Sequence, residues 1–152
     1  MIVNCQRRIP ISTEPLARFC DDARRALGFP EDSVTIRLVS DPAIARLNRD
    51  FRHKLGPTDV LSFPAKHRAA RTSKPRKSSA SSQKADREYV GDIAISPETA
   101  RRNARRGSRT LAAELRILIL HGMIHLAGYD HEADEGQMDR FERRMRRRLG
   151  LP

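Results

Sequence analysis

The 152 residues suffice for one domain that buries a core without disulfide or metal staples. Hydrophobic residues make up 38%, charged residues 32%, and no window approaches the ~18 consecutive apolar residues of a membrane span. A net charge of +11 favours an anionic partner, nucleic acid first, over a plain solvated basic surface. The opening "MIVNCQRRIP" lacks the apolar run of a secretion signal, so the expected location is the cytoplasm.

Residues 2–6 suggest a short strand. Leu16, Cys20, Ala23 and Leu27 then recur at helical spacing, with Gly28 as a stop. Cys20 on that apolar face reads as a buried reduced thiol, and it forms no CxxC pair with Cys5. Val34, Ile36 and Leu38 alternate as in a strand with one better-buried face. Asp41-Pro42 reads as an N-cap followed by proline at the first helical position. Ile44, Leu47 and Phe51 give that helix its apolar stripe. "DVLSFP" (59–64) and "VGDIAIS" (90–96) are two more strands, and Ser96-Pro97-Glu98 opens a helix closed by Gly107.

The segment from Thr110 to about Ala127 is apolar nearly all round, which predicts a central, buried helix. A last helix is expected from about Ala133 to Arg148. Its inner face is Met138, Phe141, Met145 and Leu149, and its outer face is arginine-rich. Interleaved strands and helices predict a single α+β (mixed α/β) domain. It has a small mixed four-stranded sheet, about five helices, and a metal site on the central helix. Residues of about 65–88 differ: eight basic residues between Lys66 and Arg87 stand against Asp86 and Glu88, with no apolar periodicity. This reads as a long, flexible basic loop between two strands.

The chemistry concentrates in "HGMIHLAGYDH" (121–131), which holds three of the five histidines. His121 and His125 are one helical turn apart and share a face. Gly128 accepts the left-handed turn that ends a helix, so the chain can double back and bring His131 to the same point. Three neutral imidazoles with one position left open describe a catalytic zinc site, one ion per chain, with another divalent transition metal as the alternative. Asp130 is a candidate fourth ligand. Packing histidines are common, but a third one after a glycine-terminated helix is not explained by packing. His53 and His67 have no such company; His53 is near Arg52 and His67 lies in the basic loop.

The HxxxHxxGxxH spacing is shared with metzincin proteases, whose general base is a glutamate just after the first histidine. That position is Gly122 here, which opposes peptide hydrolysis. Glu114 lies on the stripe of His121 two turns earlier, where it either orients a histidine or makes an ordinary ion pair. No Trp, two Tyr and five Phe argue against a broad base-stacking platform and for backbone-led binding.

"HGMIHLAGYDH", "LNRDFRHKLGPTDVLSFP" (47–64) and "GDIAIS" (91–96) together resemble the YbeY endoribonucleases, metal-dependent bacterial proteins of ribosomal RNA maturation. The resemblance runs from about residue 34 onward, with "EL" at 114–115 and "LG" at 149–150 also fitting. It implies a single-strand-specific endoribonuclease of 16S rRNA maturation and ribosome quality control. It implies zinc on His121, His125 and His131, and a catalytic arginine at Arg52. Its implied partners are ribosomal RNA and the small ribosomal subunit or its assembly factors. Lys54, Lys74, Arg76 and Lys77 are candidate RNA contacts. Phe51 stands where the family usually has tyrosine, and segment 65–88 is longer and more basic than the family's usual connection. Two other classes remain as alternatives: a metal-dependent hydrolase of peptides or amides, and a non-catalytic ribosome-assembly factor.

Overall fold

The structure, a computed structural model, describes residues 1–65, 89–130 and 132–152. The chain runs β1 (Ile2–Asn4), α1 (Thr13–Ala26), β2 (Val34–Leu38), α2 (Asp41–Arg52), β3 (Val60–Pro64) and β4 (Gly91–Ile95). The helices α3 (Pro97–Arg106), α4 (Leu111–Leu126) and α5 (Gln137–Arg148) follow. Four strands in the order β1-β2-β4-β3 form one mixed sheet; only β3 runs antiparallel to its neighbour. Among the described residues there are five helices, as the interleaved periodicities predict.

β2 and β4 are the inner strands, and their composition follows from that place. Val34, Ile36, Leu38, Ile93 and Ile95 are all at most 2% exposed and point to one face. Each such side chain contributes about 1.5–3 kcal/mol on burial. On that face lie α1 and α4, through Leu16, Phe19, Leu115, Ile119 and Met123 among others. The opposite face carries a smaller cluster of Ile44, Leu61 and Ala94 under α2. Helix α4 packs against α1, α3, α5, β3 and β4, so it is surrounded, and its all-round apolar composition is what such a position requires. Thr110 accepts from the Ala113 N–H at its start.

Three expectations need correction. The N-cap of α2 is Ser40, with Asp41 inside the first turn. The Asp41 N–H donates to Glu98 of α3 (2.8 Å), and the Asp41 carboxylate crosses the other way to Ser96, Thr99 (2.8 Å) and Arg102 (2.7 Å). Glu98 caps the start of α2 while the Asp41 carboxylate grips side chains at the start of α3, a tie between two helices that no pattern within one segment encodes. Phe51 is not on the inner face of α2: it is 44% exposed, and Asn48 takes the buried place. Helix α5 starts at Gln137, not near Ala133. Asp134 accepts from the N–H groups of Gly136, Gln137 and Met138, holding residues before them in a turn. The basic stretch predicted as a loop, apart from its first residue Ala65, lies outside the described residues, with Lys74, Arg76 and Lys77 in it.

Candidate metal centre and its surroundings

Gly122 explains how α4 is seated. A Cβ there would lie 2.9–3.0 Å from the Ile93 side chain and 3.2 Å from Ser62 Oγ. Ile93 is fully buried and has nowhere to retreat, so only a residue without a side chain lets α4 approach the sheet this closely. The Ser62 hydroxyl uses the approach to donate to the Gly122 carbonyl at 3.0 Å. With position 122 turned into the sheet, its neighbour His121 and the residue one turn on, His125, lie on the helix's more open side, and neither is fully buried.

The two imidazoles meet at the C-terminal end of α4. Their rings are nearly perpendicular, at 77° with centroids 4.7 Å apart, and Nε2 of one faces Nε2 of the other at 3.1 Å. Each ring is held by its other nitrogen. His121 Nδ1 is 2.8 Å from Glu142 Oε2, and His125 Nδ1 is 3.0 Å from the Tyr129 carbonyl oxygen. A carboxylate and a carbonyl only accept, so both Nδ1 atoms carry the proton and both Nε2 atoms present a lone pair in the neutral rings. Two lone pairs pointed at each other repel unless a cation lies between them. Two nitrogens bound at ~2.0–2.1 Å to one tetrahedral ion stand roughly 3.3 Å apart, close to the observed spacing. The donor set therefore fits a zinc-type ion.

The backbone after α4 makes the His125 contact. The helix closes through Ala127 and Gly128, whose φ is +99°, and the Gly128 N–H donates to the His125 carbonyl (3.0 Å). This reversal brings the Tyr129 carbonyl back beside the ring it orients. The Tyr129 ring stacks on Phe141 of α5 at 4.8 Å and 6°, which fixes the turn to the last helix.

Glu142 is the site residue that sequence reasoning missed. It lies on α5 and is 6% exposed. Burial pushes its carboxyl up, but the hydrogen bonds from His121 and Arg146, with the Arg146 charge, outweigh that and hold it below the ordinary value. It is a carboxylate at neutral pH. Arg146 donates to its Oε1 through Nε (3.0 Å) and through Nη2. The signal was present in the sequence: Glu142 falls between Met138 and Met145 at helical spacing, an acid on an otherwise apolar stripe. Glu114 is 4% exposed and pairs with Arg109 at 2.7–2.8 Å, so of its two expected roles it takes the ion pair. Asp130 accepts from the Glu132 N–H at 3.0 Å. His131 lies outside the described residues, and among those described no three His, Cys, Asp or Glu side chains assemble into a metal set.

Arg52 ends α2 and is exposed; among the described residues its side chain makes no hydrogen bond or ion pair. Its loop is nonetheless fixed. His53 caps the helix with φ +55°, and the buried Asn48 amide donates to the Gly56 carbonyl at 3.0 Å. Lys54 lies 4.0 Å from Glu132, a contact between two exposed side chains that contributes little stability. Its value is geometric: it places the α2–β3 loop beside the turn that follows the histidine helix. Of the Pro-Thr-Asp block, Asp59 is structural. Its carboxylate accepts from the Val60 N–H (2.8 Å) and from the Asn103 amide (3.0 Å). On the α5 side, a pocket of about 430 Å³ is lined by His121, Asp139, Glu142, Arg143 and Arg146.

Residues 3–150 match the sequence model of the family described as "Endoribonuclease YbeY". The chain is 40% identical over 152 residues to the endoribonuclease YbeY of Koribacter versatilis, covering 100% of this chain and 87% of the relative. It is 34% identical over 146 residues to that of Geobacter metallireducens, covering 95% and 89%. Among solved structures it resembles the solution structure of TM1509 from Thermotoga maritima. The TM-score is 0.58 at 27% identity, covering 98% of this chain and 89% of that one.

Proposed function

The chain belongs to the YbeY endoribonuclease family, and from that premise we propose that it cleaves single-stranded RNA with one zinc ion held by His121, His125 and His131. The observation that carries this reading is the facing Nε2 pair, with both Nδ1 atoms engaged by acceptors. Such an ion supplies Lewis-acid charge for a phosphoryl oxygen and draws the pKa of water down toward ~7. Everything else is the work of the chain's own side chains. Glu142 and the Tyr129 carbonyl hold the imidazole protons on Nδ1. Arg52, at the end of α2, offers a planar two-pronged donor for the phosphoryl oxygens in the transition state. Lys54 and the basic residues Lys74, Arg76 and Lys77 add sequence-independent attraction to the backbone. The proposed substrate is ribosomal RNA, in maturation of the small subunit, and the proposed site of action is the cytoplasm. Among the described residues no helix is long and apolar enough to cross a membrane.

The peptide-hydrolase reading finds no support in the geometry. The position of the metzincin base, Gly122, faces Ile93 and Ser62 in the sheet, not the imidazoles. The non-catalytic reading is separated by experiment. Metal-analysed protein is incubated with single-stranded RNA and with an unstructured peptide, with and without chelator and zinc add-back. The expected result is RNA cleavage that chelator stops and zinc restores, with the peptide intact. Intact RNA in the presence of metal-loaded protein overturns the enzymatic reading in favour of a binding factor.

A further inference from the structure

We infer that Glu142, clamped by Arg146, is the positioning residue that makes His121 a metal ligand. The inference rests on the reading of the His121–His125 pair as a metal site. Glu142 is buried, and both of its oxygens are spoken for by donors on different sides. Oε2 receives the His121 Nδ1–H at 2.8 Å, and Oε1 receives the Arg146 guanidinium. The division of labour is specific. An imidazole on an isolated helix rotates about its side-chain bonds and carries its proton on either nitrogen. The Glu142 carboxylate selects the Nδ1–H tautomer and swings Nε2 toward His125. The carboxylate itself rides on α5, a different helix from the imidazole, so it needs a hold of its own. Arg146, one turn further along α5, supplies that hold as an i,i+4 partner. Helix α5 is in turn anchored by fully buried Met138 and by Met145. The chain of contacts is Met138/Met145, Arg146, Glu142, His121, and finally the facing Nε2 pair. The basic composition of α5 acquires a second meaning here: one of the arginines in "RRMRRR" is an internal clamp, with its side chain 30% exposed.

Glutamine is the discriminating substitution at 142. It keeps the shape, but one of its two terminal atoms donates. His121 Nδ1–H and Arg146 both need acceptors, so Gln satisfies one and opposes the other. The test measures zinc transfer from loaded protein to a coloured chelator for wild type, Glu142→Gln, Arg146→Gln and the double variant, with circular dichroism to establish folding. Alongside it, ¹⁵N imidazole spectra of the metal-free proteins report the His121 tautomer. Glu142→Gln is expected to weaken zinc retention ~10–100-fold, as loss of such outer partners does. Arg146→Gln is expected to weaken it less. The double variant should be no weaker than Glu142→Gln alone, because Arg146 acts only through Glu142. The metal-free wild type should show Nδ1–H at His121, and Glu142→Gln should lose it. If Glu142→Gln does not fold, Arg146→Gln and its tautomer spectrum decide. Equal zinc retention and an unchanged tautomer in the folded variants overturn the inference, as does an Arg146→Gln effect that persists undiminished beside Glu142→Gln. A wild type that binds no zinc overturns the metal reading instead, and the tautomer spectra still judge the role of Glu142.

Discussion

His121 and His125 turn their Nε2 atoms on each other at 3.1 Å while their Nδ1 atoms donate to Glu142 and to the Tyr129 carbonyl. Purified protein is therefore expected to hold about one divalent ion per chain. His125→Ala should lose the ion by elemental analysis, and chelator should lower the melting temperature of wild type but not of the variant. His121→Ala should lose the ion too and fall further in melting temperature, because it also strips the buried Glu142 of a partner. Retained metal in either variant would remove the site.

Gly122→Ala is expected to destabilise the fold. A methyl group 2.9 Å from buried Ile93 costs about 1–3 kcal/mol by overpacking. Replacing glycine in a helix interior returns up to about 1 kcal/mol. The net is a loss of about 1 kcal/mol, readable as a lower denaturation midpoint. Gly122→Glu, which restores the metzincin pattern on paper, should disrupt the α4–sheet contact and yield no peptide cleavage. Stable, peptide-cleaving Gly122→Glu would contradict the orientation of α4.

How much of this was legible beforehand depends on where each interaction lives. Strands β2 and β4, the buried α4 and the paired histidines are repeats within one segment, and periodicity reports them directly. Glu142 is not legible in the sequence because its partner, His121, is on another helix; the local clue, an acid between Met138 and Met145, has no meaning until α5 is docked. Asp41 reads as a cap of its own helix for the same reason. Its carboxylate serves Ser96, Thr99 and Arg102, and its own N–H is capped by Glu98. Phe51 fits the α2 stripe by spacing, yet the sheet face beneath α2 is small. Its ring sits edge-on to Phe63 at 5.1 Å and stays partly exposed.

The Asp41 tie between the two helices gives a pH prediction. Burial raises the Asp41 carboxyl, but the hydrogen bonds from Ser96, Arg102 and Thr99, with the Arg102 charge, prevail and hold it below the ordinary value. A carboxylate with a depressed folded pKa contributes stability that is fully present above its unfolded value of ~3.9. That contribution is lost as pH falls through the lower folded value. Asp41→Asn should cost about 1–3 kcal/mol near pH 6. The gap between wild type and variant should shrink as melting curves are taken from pH 5 downward. A gap independent of pH would show that the charge at 41 does not matter.

The basic stretch predicts a salt effect. Each phosphate contact on a single strand contributes ~0.7 to the slope of log affinity against log salt. Deleting 66–87, which removes eight basic residues and Asp86, should flatten that slope for single-stranded RNA and leave metal content unchanged. An unaltered slope would exclude those residues from RNA binding.

Arg52 separates an enzyme from a binding factor. It is exposed at the end of α2, it makes no ion pair among the described residues, and the Asn48–Gly56 hydrogen bond ties down the loop that follows it. A structural arginine would be tied to an acid; this one is held out at a helix end. If its two-pronged guanidinium stabilises phosphoryl oxygens only in the transition state, Arg52→Lys keeps the charge and loses the geometry. Removing such a stabiliser lowers the rate ~10²–10³-fold. RNA affinity should barely move, because one contact is a small part of a surface with net charge +11. Zinc content and melting temperature should also stay at wild-type values, since Arg52 supports neither the histidines nor the core. The measurement is single-turnover cleavage of single-stranded RNA by nuclease-free wild type, Arg52→Ala and Arg52→Lys, with binding followed separately. Slow cleavage in both variants at unchanged affinity places Arg52 in the chemistry. Rescue by lysine reduces its role to charge alone, and equal rates in all three proteins remove it from the reaction.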